Sequence, residues 1–151
     1  RYLPAQPGEI HTPEGKTIGT HQGLMYYTLG QRQGLGIGGQ KDAEEYPWYV
    51  AGKDLDNNIL LVAQGHNHPM LFNSELTAID LHWVSGKVPE IPLQCQAKIR
   101  YRQEDQSCTI TRLEGNTCDV VFKIPQRAIA PGQSVAFYDG DECLGGGVIN
   151  N

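Results

Sequence analysis

The sequence lacks any apolar run approaching the roughly 18 to 20 residues that span a bilayer. Its opening, Arg1-Tyr2-Leu3-Pro4-Ala5-Gln6-Pro7-Gly8, also lacks the apolar stretch of a secretory leader. A soluble chain without membrane attachment is expected, and the absence of an initiating Met reads as a piece cut from something longer. No Cys-x-x-Cys occurs, so neither a zinc ribbon nor a thioredoxin-type redox centre is signalled. There is no Gly-x-Ser-x-Gly elbow and no Gly-Lys-Ser/Thr phosphate loop. Charge is sparse at 19% and net −5, which argues against a protein that coats nucleic acid over its whole surface.

What is plentiful is Gly (18) and Pro (9) in 151 residues, a composition that favours short strands joined by turns over long helices. Hydrophobic residues, 39% of the chain, suffice for a buried core. The charge is uneven. Residues 1–86 carry 5 Lys+Arg against 9 Asp+Glu, residues 87–127 carry 7 against 5, and residues 128–151 none against 3. The basic character is thus confined to one segment. Cys95, Cys108, Cys118 and Cys143 read as reduced thiols, with Cys95 and Cys118 at apolar positions of strand patterns.

Residues 1–8 read as an extended lead-in. A strand is expected over Thr17–Thr20, a two-turn helix over Gln22–Leu29 closed by Gly30, and a hairpin from Trp48–Lys53 and Ile59–Ala63. The aperiodic stretch Gly65–Asn73 marks a boundary between modules 1–73 and 74–151. Beyond it, strands are expected at Leu76–Trp83, Leu93–Arg102, Cys108–Leu113, Thr117–Phe122, Ser134–Tyr138 and Glu142–Leu144, a spacing that suits a small barrel. Asp139-Gly140 predicts a type I′ hairpin turn.

Three patterns bear on chemistry. In Leu93–Arg102 apolar residues alternate with polar ones, so Lys98, Arg100 and Arg102 share one face at intervals of about 6.6 Å, near the spacing of phosphates along a nucleic-acid strand. Such a row either tracks phosphates or simply solvates a barrel face. Gly34-Leu35-Gly36-Ile37-Gly38-Gly39 contains Gly-x-Gly-x-x-Gly, but no helical periodicity follows it, which argues against dinucleotide binding. The loop instead suits close approach of a partner's backbone, with Gln31 and Arg32 beside it as donors for a base edge or phosphate. Of His21, His66, His68 and His82, the pair His66-x-His68 would share one side of an extended chain but has no acidic or thiol partner at close spacing, so no metal site is expected. A pairing of Cys95 with His82 as nucleophile and base has no support in the sequence.

Several strings taken in order resemble one family: His21-Gln22-Gly23-Leu24-Met25-Tyr26-Tyr27-Thr28-Leu29-Gly30-Gln31-Arg32-Gln33-Gly34-Leu35-Gly36, Trp48-Tyr49-Val50, Arg100-Tyr101-Arg102, Pro131-Gly132-Gln133 and Cys143-Leu144-Gly145-Gly146-Gly147. From Arg1 to Ile149 the chain is similar to the C-terminal half of bacterial tRNA-specific 2-thiouridylase. The resemblance implies a parent enzyme that adenylates the C2 oxygen of the wobble uridine of tRNAs for Lys, Glu and Gln with ATP and Mg. A cysteine persulfide, loaded by a sulfur relay, then displaces AMP. The family's Ser-Gly-Gly-x-Asp-Ser loop and catalytic cysteines, one in a Cys-Phe-Ile-Gly-Glu-Arg stretch, do not occur here. No catalytic residue and no cofactor are therefore expected in this fragment, which should be inert alone.

The implied fold is mainly β, a small β-rich central module followed by a six-stranded β-barrel similar to the second domain of elongation factors. On the family pattern Arg100, Tyr101 and Gln133 touch tRNA, which favours the phosphate-row reading for Lys98 and Arg102; Arg32 joins them as a candidate RNA contact. Tyr101 falls on the apolar face of the alternation, so it reaches RNA only at a strand end or bulge. The implied partners are tRNA, the missing catalytic domain and a sulfur-relay protein, in the cytoplasm. Two other readings stand beside this one. One makes the barrel a protein-contact module, as its acidic flanks suggest; the other assigns the glycine loop to a free-standing nucleotide enzyme.

Overall fold

A computed structural model describes residues 5–32, 34, 35, 37, 46–100 and 103–151. The described chain is built of strands with two single-turn 3-10 segments, and it divides into two compact units, Arg1–Phe72 and Asn73–Asn151. No described helix is long and apolar enough to cross a membrane.

The first unit holds strands β1 (Gly8–His11), β2 (Thr17–His21), β3 (Trp48–Asp54) and β4 (Ile59–Gln64) in the order β2-β1-β4-β3. The β1/β2 and β3/β4 pairs are antiparallel, whereas β1 runs parallel to β4. Residues read as a lead-in therefore already enter the sheet at Gly8. The hairpin between β3 and β4 forms because Asp54 takes the Asn57 backbone N–H (3.2 Å) and Asn58 adopts a φ of 56°, a conformation its short side chain tolerates. Ile10, Val50, Leu60 and Val62 are buried together with Leu35 and Ile37. These last two come from the glycine loop, so the described part of that loop contributes side chains to a core. The expected helix over Gln22–Leu29 is instead one 3-10 turn, Leu24–Tyr26. His21, Leu24 and Tyr27 all turn inward here at a spacing that imitates a helical stripe, while Met25 and Tyr26 are exposed.

The second unit is a closed barrel of six strands, β10-β5-β8-β7-β6-β9. These are β5 (Phe72–Trp83), β6 (Leu93–Lys98), β7 (Gln106–Glu114), β8 (Thr117–Arg127), β9 (Ser134–Asp139) and β10 (Glu142–Ile149). Alternation dictates the interior: Cys95 and Ala97 from β6, Cys108 and Ile110 from β7, Cys118, Val120 and Phe122 from β8, Val135 and Phe137 from β9. The Phe137 ring is fully buried and stacks on Trp83 at 6.1 Å. Expected strand positions recur with longer ends, except that β6 stops at Lys98 rather than Arg102. Beyond it the Gln103 side chain takes the Ile99 N–H (3.0 Å) and donates to the buried Gln126 (2.8 Å), replacing ladder bonds with side-chain ones.

The β9/β10 hairpin pairs Asp139 with Glu142, leaving Gly140 and Asp141 as the loop. Positive φ falls on Gly140 (60°) and not on Asp139 or Asp141, which fits a type II′ turn in place of the expected I′.

All four cysteines are free, Cys143 exposed and the other three buried. Cys95 and Cys108 face each other across β6 and β7 with sulfurs 3.7 Å apart. The hydrogen bond to Cys95 and burial push Cys108 up, and burial beside Asp119 pushes Cys118 up to about 11. Thiolate is the reactive form. Because burial also bars access to Cys95, a thiol reagent at pH 8 should label the exposed Cys143 rapidly and the buried three only on unfolding, as a stopped titration followed by mass spectrometry will show.

Candidate nucleic-acid interface

The outer face of β6 and β9 is where sequence-predicted residues meet. Register sets Gln96 opposite Tyr138 and Lys98 opposite Ala136. With Val135 and Phe137 turned into the core, Ser134, Ala136 and Tyr138 face out. They form one side of a concavity of about 750 Å³ that Lys98, Arg100 and Gln133 also line.

Gln133 reaches this place through a turn whose chemistry the sequence spells out. Its N–H returns to the Ala130 carbonyl (3.3 Å), with Pro131 and Gly132 between and Gly132 at φ 87°. Pro followed by a positive-φ Gly is the type II pattern. The Gln133 carbonyl then accepts the Ile149 N–H (2.8 Å), fixing the residue against β10. Its side-chain Oε1 is buried with no hydrogen-bond partner. A buried acceptor left unmatched costs roughly 1 to 3 kcal/mol, so it favours a ligand that brings a donor.

Arg100 lies just past the end of β6, half-buried. Its Nη2 donates to the carbonyls of Arg127 and Ala128, the latter at 3.1 Å, and Ala128 takes a φ of 53°. Burial and the neighbouring Arg127 charge pull the Arg100 guanidinium below its ordinary value, yet an arginine remains a cation at neutral pH. Among the described residues no carboxylate forms an ion pair with it, and a guanidinium is suited to bind an anion. Lys98 is differently placed. It pairs with Asp105 (3.4 Å) and sits over the Tyr138 ring, 5.5 Å from its centroid.

Of the residues expected to contact RNA, then, Lys98, Arg100 and Gln133 share one concavity. Tyr101 and Arg102 lie outside the described residues. Arg32 is exposed but belongs to the first unit. Sequence reading missed Tyr138. Its outward position was available from the alternation Ser134-Val135-Ala136-Phe137-Tyr138, but its apposition to Lys98 depends on the β6/β9 register.

The histidines are structural where the structure describes them. His21 is fully buried, bonded through Nε2 to the Asn58 carbonyl (2.8 Å) and through Nδ1 to the Gly23 N–H (3.1 Å). His68 caps the 3-10 turn at Pro69–Leu71 by accepting the Met70 N–H, and His66 packs edge-on against Tyr49. Among the described residues no three His, Cys, Asp or Glu side chains gather as metal ligands.

Residues 73–149 match the aminomethyltransferase beta-barrel domain family, and residues 1–64 the tRNA methyl transferase PRC-barrel domain family. Over 149 residues, 99% of this chain, it is 60% identical to a tRNA-specific 2-thiouridylase of Francisella philomiragia and covers 42% of that protein. Corresponding figures for the Coxiella burnetii 2-thiouridylase are 59% identity and 40% coverage. The Francisella tularensis enzyme gives 60% and 42%. The chain thus spans about two fifths of the length of these relatives. With both units and nearly every residue accounted for in this way, the chain belongs to the tRNA-specific 2-thiouridylase family, whose C-terminal β domains it represents.

Proposed function

We propose that these 151 residues are the tRNA-docking part of a 2-thiouridylase. In this reading ATP-dependent activation of the wobble uridine and sulfur transfer, with ATP and Mg, belong to other parts of a cytoplasmic parent enzyme. The two β modules, 1–73 and 74–151, seat the substrate, and a sulfur-relay protein delivers to the catalytic part. The carrying observation is the convergence of Arg100, Lys98 and Gln133 on one concavity, with the Gln133 Oε1 buried and unmatched beneath it. A guanidinium with spare donors, an ammonium and an unmatched acceptor suit phosphates and a ribose hydroxyl or base N–H.

Titration of the chain with tRNA tests this. Binding should be weak and salt-sensitive, and loss of one phosphate contact in Arg100→Ala should lower affinity about tenfold and the salt slope by about 0.9. Because Arg100 also braces the Arg127 and Ala128 carbonyls, Gln133→Ala serves as a second variant, with affinity falling about fivefold at an unchanged slope. No binding at low salt, or wild-type affinity in both variants, would overturn the reading. Thiolation by the chain alone would overturn its division of labour, because neither Ser-Gly-Gly-x-Asp-Ser nor Cys-Phe-Ile-Gly-Glu-Arg occurs in it.

A further inference from the structure

The concavity is built unevenly. Its middle is floored by Ser134 and Ala136, whose small side chains leave it low, while the Tyr138 ring stands at one end and Arg100 with Gln133 at the other. From Ser134 to Tyr138 is about 13 Å along a strand, room for roughly two nucleotides. Gln96, directly opposite Tyr138, is drawn away from the ring because its Oε1 accepts the Gly140 N–H of the hairpin turn (3.1 Å). What covers the Tyr138 ring is Lys98.

Lys98 in turn is shared with Asp105, and both side chains of that pair are more than 30% exposed, at 37% and 33%. Such a pair is weak because water screens it, and its anion is replaceable. A backbone phosphate carries the same unit charge and can make the same charge-assisted bond to the ammonium. If Lys98 swings to a phosphate, it keeps a charge partner and bares an aromatic face. Bare tyrosine faces beside a cation are what unstacked bases occupy, whatever the base.

Resting on the RNA-docking reading above, we propose that the β6/β9 face seats one unpaired nucleotide of the bound RNA. Its base stacks on Tyr138 and its phosphate pairs with Lys98, and Asp105 is the internal anion that this phosphate displaces. Asp105 is then a positioning residue that lowers affinity for every polyanion and so favours one able to supply both a phosphate and a base.

The test titrates the 151-residue chain with tRNA and with a short single-stranded oligoribonucleotide carrying 2-aminopurine, whose emission is quenched when the base stacks. Tyr138→Leu should weaken tRNA binding about tenfold and abolish the quench, whereas Tyr138→Phe, which keeps the face, should stay within about twofold. Lys98→Met should weaken binding and lower the single-strand salt slope by about 0.7. Asp105→Asn should tighten binding about two- to fivefold, the range of an exposed charge pair. Circular dichroism of each variant establishes that the barrel is intact. Wild-type affinity in Tyr138→Leu, or equal loss in Leu and Phe, would overturn the subsite while Arg100→Ala still impaired binding and upheld docking. If Arg100→Ala and Gln133→Ala were also without effect, the docking reading would fall with it.

Discussion

Gly145→Ala is expected to cost the barrel about 3 to 5 kcal/mol, most of the stability of a unit this small. The reason lies in how β10 closes the ring. Gly145, Gly146 and Gly147 run between β5 and β9; the first two pair with both, and Gly147 pairs with β9 where the register against β5 shifts. A Cβ on Gly145 would land on the His82 carbonyl oxygen of β5 and 2.9 Å from the Trp83 ring, at a φ of 155°. At Gly146 it would lie 2.5 Å from the Val135 carbonyl of β9, and at Gly147 2.7 Å from the Ile79 carbonyl of β5. Backbone on either side cannot yield as a side chain does. The triplet is thus a steric requirement of closure, with irregular register on both flanks of the strand. Urea unfolding followed by Trp83 fluorescence in a Trp48→Phe background checks the value. A change under about 1 kcal/mol would mean that the strands separate readily to admit a methyl group.

His21→Ala should be nearly as damaging in the first unit, by about 3 to 4 kcal/mol, from a cavity plus two unmatched backbone groups. The imidazole is fully buried and joins the end of β2 to the β3/β4 turn through the Asn58 carbonyl, while accepting the Gly23 N–H. Nε2 donates in that arrangement and Nδ1 accepts, so the ring holds one neutral tautomer. It also meets Tyr27 edge-on at 6.0 Å. His21→Phe, which restores volume but neither bond, should recover about half the loss. Amide exchange at Gly23 should accelerate in both variants. If Phe matched the wild type, the hydrogen bonds would contribute nothing and the ring's bulk alone would matter.

Periodicity made the barrel readable in advance. A strand that buries Cys95 and Ala97 between polar residues announces itself by alternation, and Leu93–Lys98 was accordingly legible. Its end was not, because the Gln103 side chain takes the Ile99 N–H and is itself held by the distant Gln126. The 22–29 helix failed for a similar reason: inward positions at His21, Leu24 and Tyr27 mimic a helical stripe, but His21 is committed to Asn58, 37 residues away. Arg100, Gln133 and Lys98 were legible as candidates one by one. That they face one concavity with Tyr138 depends on register between β6 and β9, which no local pattern encodes.

The topology of the barrel bears on how it comes into being. β5, the first of its strands to be synthesised, finds a neighbour in β10, the last. A nascent barrel emerging residue by residue must therefore carry an open edge until β10 follows, and the ring can seal only after Ile149 has left the ribosome. Synthesis slowed before that point would hold the barrel as a sticky, unsealed intermediate, so the closing strand governs yield as well as shape.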